Sequence, residues 1–112
     1  MRRCCFLALL TLLLFVSCNN KDKVKKPEVF LSEQQMIDVL TDSYLIEAEL
    51  TQKRSSGTEV ASLQKAYYDQ LFEHYAITDS IFEKNMNYYT HHPDILERMM
   101  DSVMNRFVKA QQ

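Results

Sequence analysis

The stretch LSEQQMIDVLTDSYLIEAELTQKRSSG, residues 31 to 57, decides the fold. Ser32 is a favoured helix N-cap, and Gln35 stands three residues later at the capping-box position. Leu31 and Met36 have the spacing of a hydrophobic staple across the same N-terminus. These local signals predict that a long helix begins directly after Ser32.

The apolar side chains of this predicted helix cover about 200° of its circumference, whereas contact with one neighbouring helix takes about 100°. The helix is expected to span about residues 33–53 and to end before Gly57, the only glycine of the chain. So wide an apolar surface places the helix at the centre of a bundle or gives it a second face for a partner. We assign the candidate partner face to Val39, Ile46 and Leu50.

Three further segments show the three-and-four spacing of amphipathic helices, at about residues 59–75, 79–91 and 93–110. Thr78 is placed to cap the second of these segments, and Pro93 suits the first position of the last one. The sequence therefore predicts an all-α domain over residues 32–112, a small antiparallel bundle of about four short helices.

Composition excludes several classes of protein. The 112 residues allow one small domain, and the 13 basic and 15 acidic side chains give a net charge of −2. A nucleic-acid-binding domain usually has a basic excess, so we expect no nucleic-acid partner. One glycine and two prolines are too few for a phosphate-binding loop or for the many turns of a β-sandwich.

The N-terminus has the pattern of a secretory signal peptide. Arg2 and Arg3 precede the apolar run FLALLTLLLFV, residues 6–16. This run is shorter than the roughly 20 residues that a membrane-spanning helix needs. We therefore expect residues 1–17 to be a signal peptide that is removed from the mature chain.

The end of this segment resembles a bacterial lipobox, because the small residue Ser17 precedes Cys18 directly after the apolar run. The implied chemistry is a thioether between a diacylglyceryl group and the Cys18 sulfur, cleavage after Ser17, and acylation of the new amine. Cys4 and Cys5 would leave with the signal peptide, so the mature chain would have no free thiol. The alternative is an uncleaved signal anchor in which Cys18 is an ordinary thiol.

Residues 18–31 are expected to form a polar, flexible tether after the lipid anchor. A chain of this kind from residue 19 to 31 has a reach of about 20 Å. The simpler interpretation is a solvated spacer, and the alternative is contact between its lysines and anionic lipid headgroups. The lysines are Lys21, Lys23, Lys25 and Lys26.

Two polar residues fall within apolar helix faces. Glu47 lies between Met36 and Leu40 on the first helix, and Asn85 has an equivalent position on the third. A buried carboxylate without a partner is costly, so Glu47 and Asn85 are candidates for a buried polar pair. They would either line a polar pocket, with tyrosine hydroxyls around it, or form a structural hydrogen bond that fixes helix register. Glu47 could also reach solvent at the helix end.

The helical region contains an ordered set of residues: Tyr75, Ala76, Ile77, Thr78, then Phe82, Tyr88, Tyr89 and Pro93. In this order and spacing, roughly residues 27–108 resemble a family of small lipoproteins of Bacteroidota, domain of unknown function 4296. Ala76 and Asn85 depart from the family, which tends to have Gly and Ser there. The family has no assigned activity. The resemblance therefore implies a cellular location and an evolutionary relationship, but no mechanism.

The resemblance also bears on localisation. Surface-export signals of Bacteroidota lipoproteins tend to be acidic just after the lipidated cysteine, whereas here lysines predominate. We therefore expect a cell-envelope protein, lipid-anchored in the outer membrane and facing the periplasm.

Nothing in the sequence has the pattern of a catalytic or metal site. His74, His91 and His92 lack the spacing of zinc ligands, and no serine has the glycine flanks of a nucleophile elbow. We therefore expect no enzyme activity, no metal and no cofactor. The expected function is a non-catalytic protein-interaction module that binds an envelope protein or a second copy. The alternative is a small-ligand carrier or sensor with a polar pocket between helices.

Overall fold

The computed structural model describes residues 23–112, and this part of the chain contains four helices and no strand. The helices are α1 (Glu33–Ser55), α2 (Ala61–His74), α3 (Asp79–Thr90) and α4 (Pro93–Ala110). The all-α fold of four short helices is therefore confirmed. The predicted signal peptide, residues 1–17, and the lipidation site Cys18 lie outside the described residues.

The helix starts follow the local sequence signals. The Gln35 N–H donates to the Ser32 hydroxyl at 3.2 Å, and the Ser32 N–H donates to the Gln35 side chain at 2.8 Å. The Thr78 hydroxyl accepts a hydrogen bond from the Ile81 N–H at 3.2 Å. The predicted capping box and the predicted Thr78 cap are both confirmed.

Helix α1 is the centre of the bundle, because both α2 and α4 pack against it. The structure corrects the predicted partner face of α1, because two of its three residues are not accessible. Val39 is 1% exposed and Leu50 is 0% exposed. Ile46 is half-buried and lies in a groove with Tyr67 and Leu71 of α2. Val39 and Leu50 are therefore inside the fold, and the wide apolar surface of α1 packs against two neighbouring helices.

Side-chain contacts fix the directions of the helices. Tyr67 in the middle of α2 donates to Glu49, and Tyr75 just after the end of α2 donates to Asp42, so α2 runs antiparallel to α1. Helix α3 contacts the chain that precedes α1, since Asn85 and Tyr89 bond to the backbone of Val29 and Leu31. It also packs against α4.

Helix α4 then runs in the same direction as α1. Three contacts pair the two helices in ascending order: Glu33 with Arg98 at 3.7 Å, Asp38 with Arg106, and the rings of Tyr44 and Phe107 at 6.0 Å. None of the helices within residues 23–112 is both long enough and apolar enough to cross a bilayer.

The main core lies between α1, α3 and α4. It includes the buried residues Leu31, Met36, Ile37, Leu40, Tyr89, Met99 and Val103. Leu31 precedes α1, so the expected hydrophobic staple between Leu31 and Met36 is part of this core. The C-terminal end of the predicted tether therefore belongs to the folded domain.

The turn between α2 and α3 contains a strained residue. Ala76 has a positive φ of 53°, the left-handed conformation that normally favours glycine. The Ile77 N–H donates to the Phe72 carbonyl at 2.9 Å and the Ala76 N–H donates to the Glu73 carbonyl at 3.0 Å. This is a Schellman motif, which satisfies the last carbonyls of α2 at the cost of strain at Ala76.

We expect Ala76→Gly to stabilise the protein by about 1 kcal/mol, because glycine adopts this conformation without the Cβ clash. Thermal unfolding should then occur about 4–8 °C higher. The matched control is Ala66→Gly on the exposed surface of α2, which should destabilise by about 1 kcal/mol. A loss of stability in both variants would contradict the assignment of strain to Ala76.

Candidate functional site

The side chain of Asn85 holds the extended chain that precedes α1. Its Oδ1 accepts a hydrogen bond from the Leu31 N–H at 2.8 Å. Its Nδ2 donates to the Val29 carbonyl at 2.9 Å and to the Ile81 carbonyl at 2.8 Å. Asn85 is completely buried, and both the oxygen and the nitrogen of its amide make hydrogen bonds.

Tyr89 lies one turn further along α3 and completes this contact. Its hydroxyl donates to the Leu31 carbonyl at 2.7 Å. Burial raises the pKa of Tyr89, so the hydroxyl is held as a neutral donor. Asn85 and Tyr89 together bind the backbone of Val29–Leu31 through their side chains, and we call this contact the α3 clamp.

The clamp leaves two apolar side chains outside the core. Val29 is 50% exposed and Phe30 is 37% exposed. The Phe30 ring packs edge-on against Tyr88 with centroids 5.2 Å apart, and the Lys26 Nζ lies 4.8 Å from its centre. The side chains of this segment therefore form a surface that combines apolar and cationic groups.

The predicted pairing of Glu47 with Asn85 does not form. Glu47 is half-buried and accepts a hydrogen bond from the Tyr68 hydroxyl at 2.7 Å, whereas Asn85 bonds to backbone groups. Glu47 is on the side of α1 that faces α2, and the α3 clamp is at its N-terminus. The two residues therefore do not build one polar pocket.

Tyrosine–carboxylate hydrogen bonds join α1 to the α2 region at three positions. The pairs are Tyr75 with Asp42 at 2.6 Å, Tyr68 with Glu47 at 2.7 Å, and Tyr67 with Glu49 at 2.9 Å. We call this set the tyrosine ladder. Leu71 is the buried residue of α2, so this polar set supplements a small apolar contact.

The ladder tyrosines are held in their neutral form. Burial, the hydrogen bond to Glu47 and its charge raise the pKa of Tyr68 to about 12. Burial and the Asp42 carboxylate also raise the pKa of Tyr75. A catalytic base or nucleophile would need a lowered pKa, so these hydroxyl groups are suited to structural donation.

The histidines at the turn between α3 and α4 are used as caps. The Nδ1 of His91 lies 2.7 Å from the Asn87 carbonyl, and the Nδ1 of His92 lies 2.7 Å from the Tyr88 carbonyl. Both rings border an open groove of about 600 Å³ with Lys23. Within residues 23–112, no group of three or more His, Cys, Asp or Glu side chains is arranged to hold a metal ion.

One apolar cluster remains on the surface of the helices. Met104 is 42% exposed and Val108 is 50% exposed, and they lie one turn apart on the same side of α4. Tyr44 of α1 is also exposed and packs on Phe107 beside them. We call Tyr44, Met104, Phe107 and Val108 the α1–α4 patch.

The family model described as "Domain of unknown function (DUF4296)" matches residues 27–112. The chain belongs to this family. The matched range begins before Val29, so it includes the segment held by the α3 clamp. No curated protein and no solved structure matches the chain.

Sequence reasoning located some parts of this DUF4296 domain and missed others. It singled out Asn85 as a polar residue in an apolar face, and the residue is indeed buried. It did not find the partner of Asn85, which lies 54 positions away in the chain. It also gave no indication that Glu49 and Asp42 accept hydrogen bonds from tyrosines of the α2 region.

We expect Asn85→Ala to destabilise the protein by about 3 kcal/mol, because it leaves the Leu31 N–H and the Val29 carbonyl without their partner. The measurement is the free energy of unfolding in urea. Asn87→Ala is the matched control, since Asn87 is exposed on the same helix and should change stability by less than about 0.5 kcal/mol. Equal effects of the two substitutions would contradict the α3 clamp.

The tyrosine ladder predicts a loss of stability at alkaline pH. Tyr68 has its ordinary pKa of 10.0 in the unfolded chain and about 12 in the folded protein, so its contribution is complete below pH 10. Above pH 10 the unfolded chain loses the proton first, and the contribution falls as the pH rises through about 12. The measurement is the free energy of unfolding at a series of pH values. It should decline less in Tyr68→Phe than in the unaltered protein, and Glu47→Gln should show the same effect to a lesser degree. Identical declines in all three proteins would contradict the role of Tyr68.

Proposed function

We propose that this DUF4296 protein is a bacterial lipoprotein of the Bacteroidota cell envelope, a non-catalytic module that binds another envelope protein. The lipid on Cys18 would hold it in the outer membrane, facing the periplasm. The observation that carries the interaction role is the α1–α4 patch. It is a cluster of apolar side chains that the fold leaves in contact with solvent.

The anchor is supported by the Ser17–Cys18 pattern and by its distance from the folded domain. The Asn85 side chain binds the chain at the Val29 carbonyl, eleven residues after Cys18. An extended chain of this length spans at most about 40 Å. The domain would therefore stay close to the membrane surface.

A role without catalysis is supported by what the polar side chains contact. Ladder carboxylates accept from tyrosine hydroxyls, Asp38 pairs with Arg106, and Glu33 lies 3.7 Å from Arg98. These groups join helices. Asp42 and Glu49 also border the open groove between α1 and α2, where a tyrosine hydroxyl donates to each of them. Large apolar patches rimmed by polar residues are typical of interaction surfaces, which favours a protein partner.

The α1–α4 patch replaces Val39, Ile46 and Leu50 as the proposed partner face. Tyr44 and Met104 are exposed, and neither belongs to the main core. Aromatic and methionine side chains are enriched in the centres of protein interfaces. The lysines after Cys18, in place of acidic residues, support retention on the periplasmic side.

The test is in-cell cross-linking of a C-terminally tagged protein followed by mass spectrometry. We expect one dominant envelope protein, and we expect its recovery to be lost in the double variant Met104→Asp/Val108→Asp. The control is Asn105→Asp/Lys109→Asp, which adds charge on the same helix outside the patch. Urea unfolding of each variant would show that the fold is retained.

The Cys18→Ser variant tests the anchor in the same experiment. It should lack the diacylglyceryl mass and keep residues 1–17, because cleavage after Ser17 follows lipidation. An unchanged mass would overturn lipidation at Cys18. Recovery of only the protein itself would overturn the envelope partner and would point to self-association or to a ligand carrier.

A further inference from the structure

The net charge of the chain changes sign near residue 27. Residues 19–26 contain four lysines and one acidic residue, Asp22. Residues 27–112 contain seven basic and fourteen acidic side chains, for a net charge of −7. The positive segment therefore precedes a strongly acidic helical domain.

Pro27 and the exposed Glu28 separate these lysines from two apolar side chains, so the segment Lys23–Phe30 has three lysines and one carboxylate. Lys23, Lys25 and Lys26 are exposed, and so are the side chains of Val29 and Phe30. The α3 clamp uses the backbone carbonyl of Val29 and both backbone groups of Leu31. Because the backbone is fixed, the Val29 and Phe30 side chains stay at the surface.

This combination suits the interface of a lipid bilayer better than water. Lysines attract anionic headgroups, and apolar or aromatic side chains beside them enter the boundary between headgroups and acyl chains. Phe30 contacts the Lys26 ammonium on one side. Aromatic rings beside cationic side chains are typical of segments that lie at the membrane interface.

We propose that the segment Lys23–Phe30 docks on an anionic phospholipid surface, an inference that rests on the proposed anchoring through Cys18. The lysine ammonium groups bind headgroup phosphates, and Val29 and Phe30 enter the interface. The acidic helical domain is repelled from the same surface and faces away from it.

Docking in this way gives the protein a defined orientation. Helix α1 begins beside the docked segment, and Tyr44 lies twelve residues beyond Ser32, a rise of about 18 Å along the helix. The α1–α4 patch is therefore held off the membrane, where a partner protein has access to it.

The test uses the lipidated protein, purified from bacterial membranes and reconstituted into vesicles of phosphatidylethanolamine and phosphatidylglycerol. Val29→Cys introduces one thiol for a polarity-sensitive fluorophore, because Cys18 carries the lipid. Gln52→Cys, at an exposed position near the far end of α1, is the matched control. Lipids with brominated acyl chains quench only a fluorophore that enters the bilayer.

We expect a blue shift and quenching at position 29 and neither at position 52. Replacing Lys23, Lys25 and Lys26 with Gln should abolish the quenching at position 29, and so should vesicles of phosphatidylcholine alone. Replacing Lys65, Lys84 and Lys109 with Gln, which are exposed lysines of the helical domain, should leave it unchanged. Added salt should weaken the quenching, because the screening length is only about 10 Å at 0.1 M.

Two results would overturn the inference, and they are distinct. Protein that floats with the vesicles and carries lipid, but shows no more quenching at position 29 than at position 52, would overturn the docking alone. Protein that lacks the lipid mass and does not float would overturn the anchoring and the docking together.

Discussion

The buried amide of Asn85 is the interaction on which the arrangement of the helices depends. One side chain on α3 binds backbone groups before α1 and a carbonyl of its own helix. It thereby fixes the position of the chain that enters α1 relative to α3. Without it, the backbone of Val29 and Leu31 would have polar groups unsatisfied next to the main core. Tyr89 then fills the space beside Leu31 and satisfies the remaining carbonyl.

The two sides of α1 are held by different kinds of contact. Toward α3 and α4 the contact is a core of fully buried apolar side chains such as Met36 and Met99. Toward α2 it combines the buried Val39, Leu50 and Leu71 with hydrogen bonds from tyrosines to carboxylates. Tyrosine serves this purpose well, because its ring packs while its hydroxyl reaches an acceptor at the edge. The acidic residues of α1 therefore contribute to the fold as acceptors.

The features that sequence could predict are those determined by neighbouring residues. Ser32 and Gln35 cap α1 because their spacing alone brings the groups together. The helical periodicity of the four segments likewise depends on local spacing. The width of the apolar arc of α1 was also correct, but it did not indicate which surface would cover Val39 and Leu50. The partners of Asn85 and Glu47 depend on how distant helices pack, and no local pattern contains that information.

The α3 clamp also determines how tension would pass through the molecule. A pull on the chain from its N-terminal side first meets the fold at Val29, whose carbonyl accepts a hydrogen bond from the Asn85 amide. The hydrogen bonds at Leu31 come next, and only beyond them does the pull reach Ser32. Such a force would therefore act on the hydrogen bonds to α3 before it reached the capping box, and α1 would be shielded from movement of the chain that precedes residue 29.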